Sequence, residues 1–197
     1  MIAIIDYGVG NLQSIQRALE LLNRPCRLVR TRQELETAKG IILPGVGAFD
    51  AALTALEEMD LIESLKQAAG QDMPILGICL GMQILFERSE EGSRPGLGLL
   101  KGEVLHLPHG LRVPHLGWNW VQWKQSGGRH GHYYFAHSYH ACTPQENMLA
   151  QTQYGVDFAS VVNKGSIHGV QFHPEKSGRE GLALLGEWTE GRMRACC

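Results

Sequence analysis

Neither sign of charge dominates this sequence: 18 Lys and Arg stand against 20 Asp and Glu, a formal net charge of −2. No global field therefore draws the chain to nucleic acid or to an anionic membrane surface. Charged runs are short, such as Glu90-Glu91, and fit ordinary solvated surface. Long apolar runs are missing as well. The stretch 75–85 is interrupted by Gly77, Gly81 and Gln83, so no segment is suited to crossing a bilayer. The opening Met1-Ile2-Ala3-Ile4-Ile5-Asp6 has no basic region and does not fit a signal peptide. A soluble, cytoplasmic chain is expected. The five cysteines, an odd number, lie at irregular spacing, which argues against a secreted disulfide scaffold. None belongs to a Cys-x-x-Cys pair, so no structural zinc site is expected. Cys196 and Cys197 receive no role. Repeats and low-complexity tracts are absent.

Two cofactor signatures are incomplete. Gly8-Val9-Gly10 follows the first candidate strand, but the third small residue of a dinucleotide fingerprint is replaced by Gln13. No nucleotide cofactor is expected. His130-x-His132 and His137-x-x-His140 are close together, yet no acid-and-histidine helix motif accompanies them. Loop and strand histidines with backbone partners explain them better than a metal.

What is present suits one domain over residues 1–197, since 44% hydrophobic content can fill a sizeable core. The first half alternates strand and helix signals. Strands are expected at 1–6, 26–29, 40–43 and 74–78. Helices are expected from Leu12 through Leu22, over 48–69 and over 82–88. The second half is richer in strands, at 104–107, 118–123, 133–140, 160–162 and 166–172, before a closing helix over 178–189. A loop is expected over 126–132. This is an α/β chain with a mainly parallel central sheet flanked by helices. Antiparallel strand-rich additions belong to its second half.

The chemistry begins at Gly77-Ile78-Cys79-Leu80-Gly81, where a buried strand meets a helix. It matches the pattern of a nucleophile elbow, with cysteine in place of serine. Such a turn exposes the sulfur at a helix N-terminus, which favours thiolate. The Leu80 N–H is placed to face an oxyanion. Taken alone, Cys79 could equally be a small core hydrophobe. His173-Pro174-Glu175 follows the last strand. Extended geometry continuing through it would put His173 and Glu175 on one side, base and orienter of a triad. A solvated turn is the ordinary alternative. Pro44-Gly45-Val46-Gly47 follows the third strand, and its glycines let backbone N–H groups approach a substrate. It is assigned the second oxyanion donor, although a plain turn would look the same.

Read together, four segments resemble the class I (triad) glutamine amidotransferases. They are Asp6-Tyr7-Gly8-Val9-Gly10-Asn11-Leu12, Pro44-Gly45-Val46-Gly47-Ala48-Phe49, Gly77-Ile78-Cys79-Leu80-Gly81-Met82-Gln83 and His173-Pro174-Glu175-Lys176-Ser177. Within that class they are similar to the glutaminase subunits of imidazole glycerol phosphate synthase. The resemblance implies Cys79, His173 and Glu175 as the triad and Gly45, Val46 and Gly47 as the oxyanion loop. It implies Gln83, Glu91, His137, Ser138 and Tyr139 around the substrate. Asn11, Trp118, Tyr134 and Lys176 would face a cyclase subunit, as a heterodimer, with no cofactor or metal. The implied activity is glutamine hydrolysis through a cysteine thioester, with ammonia delivered to that cyclase for histidine biosynthesis. A triad glutaminase serving another pathway, or a stand-alone cysteine hydrolase of similar fold, remains open at this point. So does a silent scaffolding module, though a complete triad argues against it.

Overall fold

The structure, a computed structural model, describes residues 1–124 and 130–193. Short buried runs of isoleucine and leucine form β1 (Ile2–Ile5), β2 (Cys26–Val29), β3 (Gly40–Leu43) and β4 (Ile75–Ile78). All four are parallel, with β1 between β2 and β3 and β4 beyond β3. The connecting helices are α1 (Leu12–Leu21), α2 (Arg32–Leu35), α3 (Phe49–Glu58) and α4 (Ile62–Gly70). After β4 come α5 (Leu80–Gln83), β5 (Arg88–Ser89), β6 (Glu103–His106), β7 (His115–Trp123), β8 (Gly131–His137) and β9 (Tyr139–Cys142). The chain continues with β10 (Met148–Gln153), β11 (Asp157–Lys164), β12 (Ile167–Val170) and α6 (Gly178–Thr189). Among the described residues the main sheet path is β2-β1-β3-β4-β12-β11-β10-β7-β8. It is parallel as far as β12, which pairs with β4, and antiparallel from there on.

Strand periodicity divides the core. Ile5, Ile41, Leu43 and Ile75 feed a cluster under α3 and α4, containing Phe49, Leu53, Leu56 and Leu65. Their neighbours Ile4, Ile42, Leu76 and Ile78 point the other way, onto Ile15 and Leu19 of α1 and Leu184, Leu185 and Trp188 of α6. Each fully buried Leu or Ile contributes about 2 kcal/mol by removal from water. Covered on both faces, the parallel strands end in Asp6-Tyr7, Pro44-Gly45, Cys79 and Gln171, all at one edge, where open α/β sheets bind ligands.

Several sequence expectations are corrected. The helix over 48–69 is two helices. Asp60 sits at φ 54°, and the N–H groups of Asp60 and Leu61 reach back to Glu57 O and Leu56 O. This is a Schellman stop. Asn23 after α1 and Asp72 after α4 close their helices the same way. The helix over 82–88 is only α5, because the carbonyls of Ile84, Leu85, Phe86 and Glu87 accept N–H groups from residues 96–100. The strand over 133–140 breaks at Ser138, and β10 was not anticipated at all. Of the loop over 126–132, residues 126–129 lie outside the described residues, while Gly131 and His132 belong to β8. The Cys196-Cys197 pair also lies outside them. No helix among the described residues is long and apolar enough to cross a membrane.

Two glycines make opposite predictions. A Cβ on Gly81 would lie 1.8 Å from Leu43 O, an immovable backbone atom. Gly81→Ala is expected to cost about 3 kcal/mol in denaturant unfolding. Gly70, the last residue of α4, has open space around it. There Gly70→Ala is expected to stabilise by about 0.5 kcal/mol, and a loss of stability would contradict the helical role given to it.

Candidate active site

Cys79 is the one residue with positive φ, glycines aside, that does not end a helix among the described residues; its φ is 54°. That strain has no capping purpose, and it is held by the fold. The Cys79 N–H donates to Val170 O at 2.8 Å, and its carbonyl accepts from Met82 and Gln83. Gly77 and Gly81 make the turn possible, since a Cβ on Gly77 would meet Gly81 O at 2.5 Å. The helix beyond is a single turn, so its dipole is smaller than a long helix would offer. The sulfur is nearly buried and sits 3.8 Å from Ala136 O of β8.

His173 lies beside it. Its backbone N–H donates to Tyr134 O of β8 at 2.9 Å, and its carbonyl accepts from Ser177 Oγ at 2.6 Å. Extended geometry does not continue through His173-Pro174-Glu175. Residues Pro174–Lys176 form a 3-10 turn instead, because proline favours the first helical position and Lys176 N–H closes onto His173 O. The turn still returns Glu175 to the ring: His173 Nδ1 is 2.9 Å from Glu175 Oε1, with both side chains almost fully buried. Burial acts to lower the His173 pKa. Hydrogen bonds and charge from Cys79 and Glu175 outweigh it and hold the ring at about 10.

His115, His137 and His140 shift the opposite way. Burial pushes His137 down to about 3 and His115 to about 4, and it lowers His140. Neutral rings fix their tautomers. His137 Nδ1–H donates to Tyr139 O at 2.8 Å, so its Nε2 accepts from His115 Nδ1–H at 2.9 Å. Divergent shifts in one site mark divergent roles, and only His173 is held in its charged form.

A cavity of about 320 Å³ joins these groups. It is lined by Val46, Gly47, Cys79, Leu80, Gln83, Glu91, His137, Ser138, Tyr139 and His173, with Lys176 at its margin. The Pro44–Gly47 loop lies directly on the elbow, where a Cβ on Gly45 would meet Gly81 N at 2.5 Å. Tyr7 Oη–H donates to Pro44 O and anchors the loop from below. Burial first, and the charge of Cys79 second, keep the Tyr7 phenol protonated well above its ordinary range. Glu91 is half-buried; burial raises its pKa, while the Phe49 N–H donated to Oε2 at 3.0 Å lowers it.

Trp118 and Tyr134 are register partners on β7 and β8, their rings 6.2 Å apart, and Lys176 Nζ lies 5.7 Å from the Tyr134 ring centroid. Asn11 is the residue that precedes α1. Pro114, Ala136, His115, Tyr7 and Gln171 contribute to the site without having been singled out from sequence. For Gln171 a signal existed: one amide inside the apolar run Gly169-Val170-Gln171-Phe172.

The family model described as Glutamine amidotransferase class-I matches residues 3–187. The chain is 46% identical to imidazole glycerol phosphate synthase subunit HisH of Moorella thermoacetica, covering 96% of this chain and 94% of that protein. It is 45% identical to the protein of the same name in Geobacillus kaustophilus, covering 96% of each. A solved glutamine amidotransferase superposes with a TM-score of 0.80 at 21% identity, covering 96% of this chain and 98% of that one, which speaks to fold alone.

The His173 environment predicts a pH dependence. Its pKa is raised from 6.5 to about 10, so the pairing stabilises the fold fully below pH 6.5 and is lost as pH rises through about 10. Glu175→Gln removes one of the two supports. The ring's titration, followed by NMR, is expected to fall by about 1–3 pH units, and the alkaline loss of stability should begin correspondingly earlier. An unmoved titration would show that Glu175 does not sustain the charge.

Proposed function

The chain belongs to the class I glutamine amidotransferase family, and on that premise we propose that it forms a single glutaminase domain. It hydrolyses glutamine to glutamate and ammonia and passes the ammonia to the cyclase subunit of imidazole glycerol phosphate synthase, in the histidine pathway of the cytoplasm. The observation that carries this reading is one cavity lined by a strained cysteine and a histidine, with a buried glutamate on that histidine's Nδ1.

The side-chain carbonyl of glutamine enters beside Cys79, whose thiolate attacks it. Charge moves to the carbonyl oxygen, and N–H groups of Leu80 and the Gly45–Gly47 loop stabilise it. His173 Nε2 gives a proton to the departing nitrogen, so ammonia leaves and a glutamyl thioester remains. Glu175 keeps the Nδ1 proton in place throughout. Water, deprotonated by His173, then attacks the thioester and releases glutamate and the thiolate. Glu91 holds the α-ammonium with its uncommitted oxygen. Both amide hydrogens of Gln83 are engaged, with Tyr139 O at 2.9 Å and Gln171 Oε1 at 3.1 Å. Its carbonyl alone therefore faces the substrate. His137, Ser138 and Tyr139 bound the carboxylate end.

Ammonia released into water would take up a proton and cease to be a nucleophile, so its consumer must seal over the site. The outward face of β7 presents Leu116, Trp118 and Trp120, all exposed. An apolar stripe of that kind is a docking surface. With Tyr134, Lys176 and Asn11 it forms the face offered to the cyclase in a heterodimer.

In this reading glutaminase turnover is slow alone and rises when the cyclase and its ligand are added, as measured by glutamate release. Equal rates would remove the gating role. Cys79→Ala should lower glutamine hydrolysis by about 10⁴-fold or more. Cyclase binding and ammonia-dependent synthesis should persist.

A further inference from the structure

The parallel pairing of β4 with β12 runs through Ile78↔Val170. Cys79 and Gln171 are the next residue of each chain segment. Gln171 is fully buried, and its Nε2 lies 3.8 Å from Cys79 Sγ, within reach of a weak sulfur hydrogen bond. Which end of this amide faces the sulfur is settled by its partners. Tyr139 O can only accept, so the Gln83 atom 2.9 Å away is nitrogen. The same nitrogen supplies the hydrogen shared with Gln171 at 3.1 Å, so that Gln171 atom is oxygen. The remaining end of Gln171, its NH₂, is left pointing at the sulfur. Swapping either amide would set two acceptors, or two donors, against each other.

From this we propose that Gln171 is a positioning residue for the nucleophile: it directs an N–H at Cys79 Sγ and stabilises the sulfur as an anion. The proposal rests on the reading of Cys79 as the nucleophile. As a thiol, Cys79 can donate to Ala136 O at 3.8 Å. Once its proton has passed to His173, the sulfur faces that carbonyl with nothing between them. The Gln171 N–H then offsets the repulsion. It is needed twice in a turnover, when the thiolate attacks and when it leaves the thioester.

The test uses the full chain and iodoacetamide, which forms an S–C bond and expels iodide. The alkylated cysteine is identified by peptide mass spectrometry across a pH series. Gln171→Met keeps the volume and removes the donor. It should shift the pH of half-maximal Cys79 alkylation upward by about one unit, near tenfold slower reaction below that pH. The plateau rate at high pH should rise, because a less stabilised thiolate is the better nucleophile. A role in packing alone would produce neither change. Gln83→Met leaves Gln171 in place but unanchored, and should shift the profile by less in the same direction. If Gln171→Met does not fold, Gln171→Glu keeps the shape and sets an anion beside the sulfur, moving the profile further upward. A folded variant at position 171 whose profile superimposes on that of the unsubstituted protein would overturn the proposal. Absence of alkylation at Cys79 in the unsubstituted protein would instead overturn the nucleophile assignment, and this proposal with it.

Discussion

The free edge of β8 is the constraint on which the site depends. Among the described residues β8 pairs with β7 alone, and carbonyls of its other edge meet Cys79 and His173, which follow β4 and β12. Residues two apart on a strand present their carbonyls to the same edge. The Tyr134 carbonyl therefore takes the His173 N–H while that of Ala136 meets the Cys79 sulfur. Two side chains separated by more than ninety residues in sequence are thus set against one rigid ruler. Ser177 Oγ strengthens the arrangement by accepting from Tyr134 N–H at 3.0 Å and donating to His173 O. Remove the edge and neither the sulfur nor the imidazole has a reason to stay beside the other.

The same strand creates a second demand. Its inward residues are Gly131, Tyr133, Phe135 and His137, so the rule that buries two aromatic rings buries an imidazole with them. A buried ring must be satisfied, and here it is satisfied in one direction only. Asn119 donates to His115, His115 to His137, and His137 to Tyr139 O, where Gln83 also donates. Every proton in that series has a fixed place, so His115 and His137 are neutral and add no positive charge beside His173. The imidazolium favoured at His173 is thereby electrostatically isolated from its neighbours, with Cys79 and Glu175 as its partners. Glu175 Oε2 is buried with no hydrogen-bond partner among the described residues.

The sequence carried the parallel half of this fold plainly. Strands at 26–29 and 40–43 and the helix at 178–189 are where the spacing of their apolar residues put them. Some expectations failed for tertiary reasons, others for local ones such as the left-handed stop at Asp60. Nothing local announces that residues 96–100 will take the carbonyls of 84–87 and stop α5 after one turn. β10 alternates weakly, as Met148-Leu149-Ala150-Gln151-Thr152-Gln153, and is a strand because β11 and β7 flank it. The site was legible as motifs, but the geometry behind one of them was not. Glu175 meets His173 through a 3-10 turn, since proline in the middle favours a helical start over continued extension. Gln171 stands out in the sequence as one amide in an apolar run, but its place beside Cys79 is visible only once β12 is paired with β4.

Packing also divides the Pro44–Gly47 loop into a held part and an open part. Gly10 packs so that a Cβ there would lie 3.1 Å from Pro44 Cβ, and Tyr7 holds the Pro44 carbonyl. Gly45 is wedged against Leu80 and Gly81. These contacts join the ends of β1, β3 and β4 into one block that cannot shift without breaking the elbow itself. Val46 and Gly47 are different: Val46 is exposed, and Gly47 has φ 104° with open space where a Cβ would be. Left-handed backbone there is accessible to glycine at little cost. Within the Pro44–Gly47 loop, packing therefore leaves room around Val46 and Gly47. Pro44 and Gly45, by contrast, are packed against Tyr7, Gly10, Leu80 and Gly81.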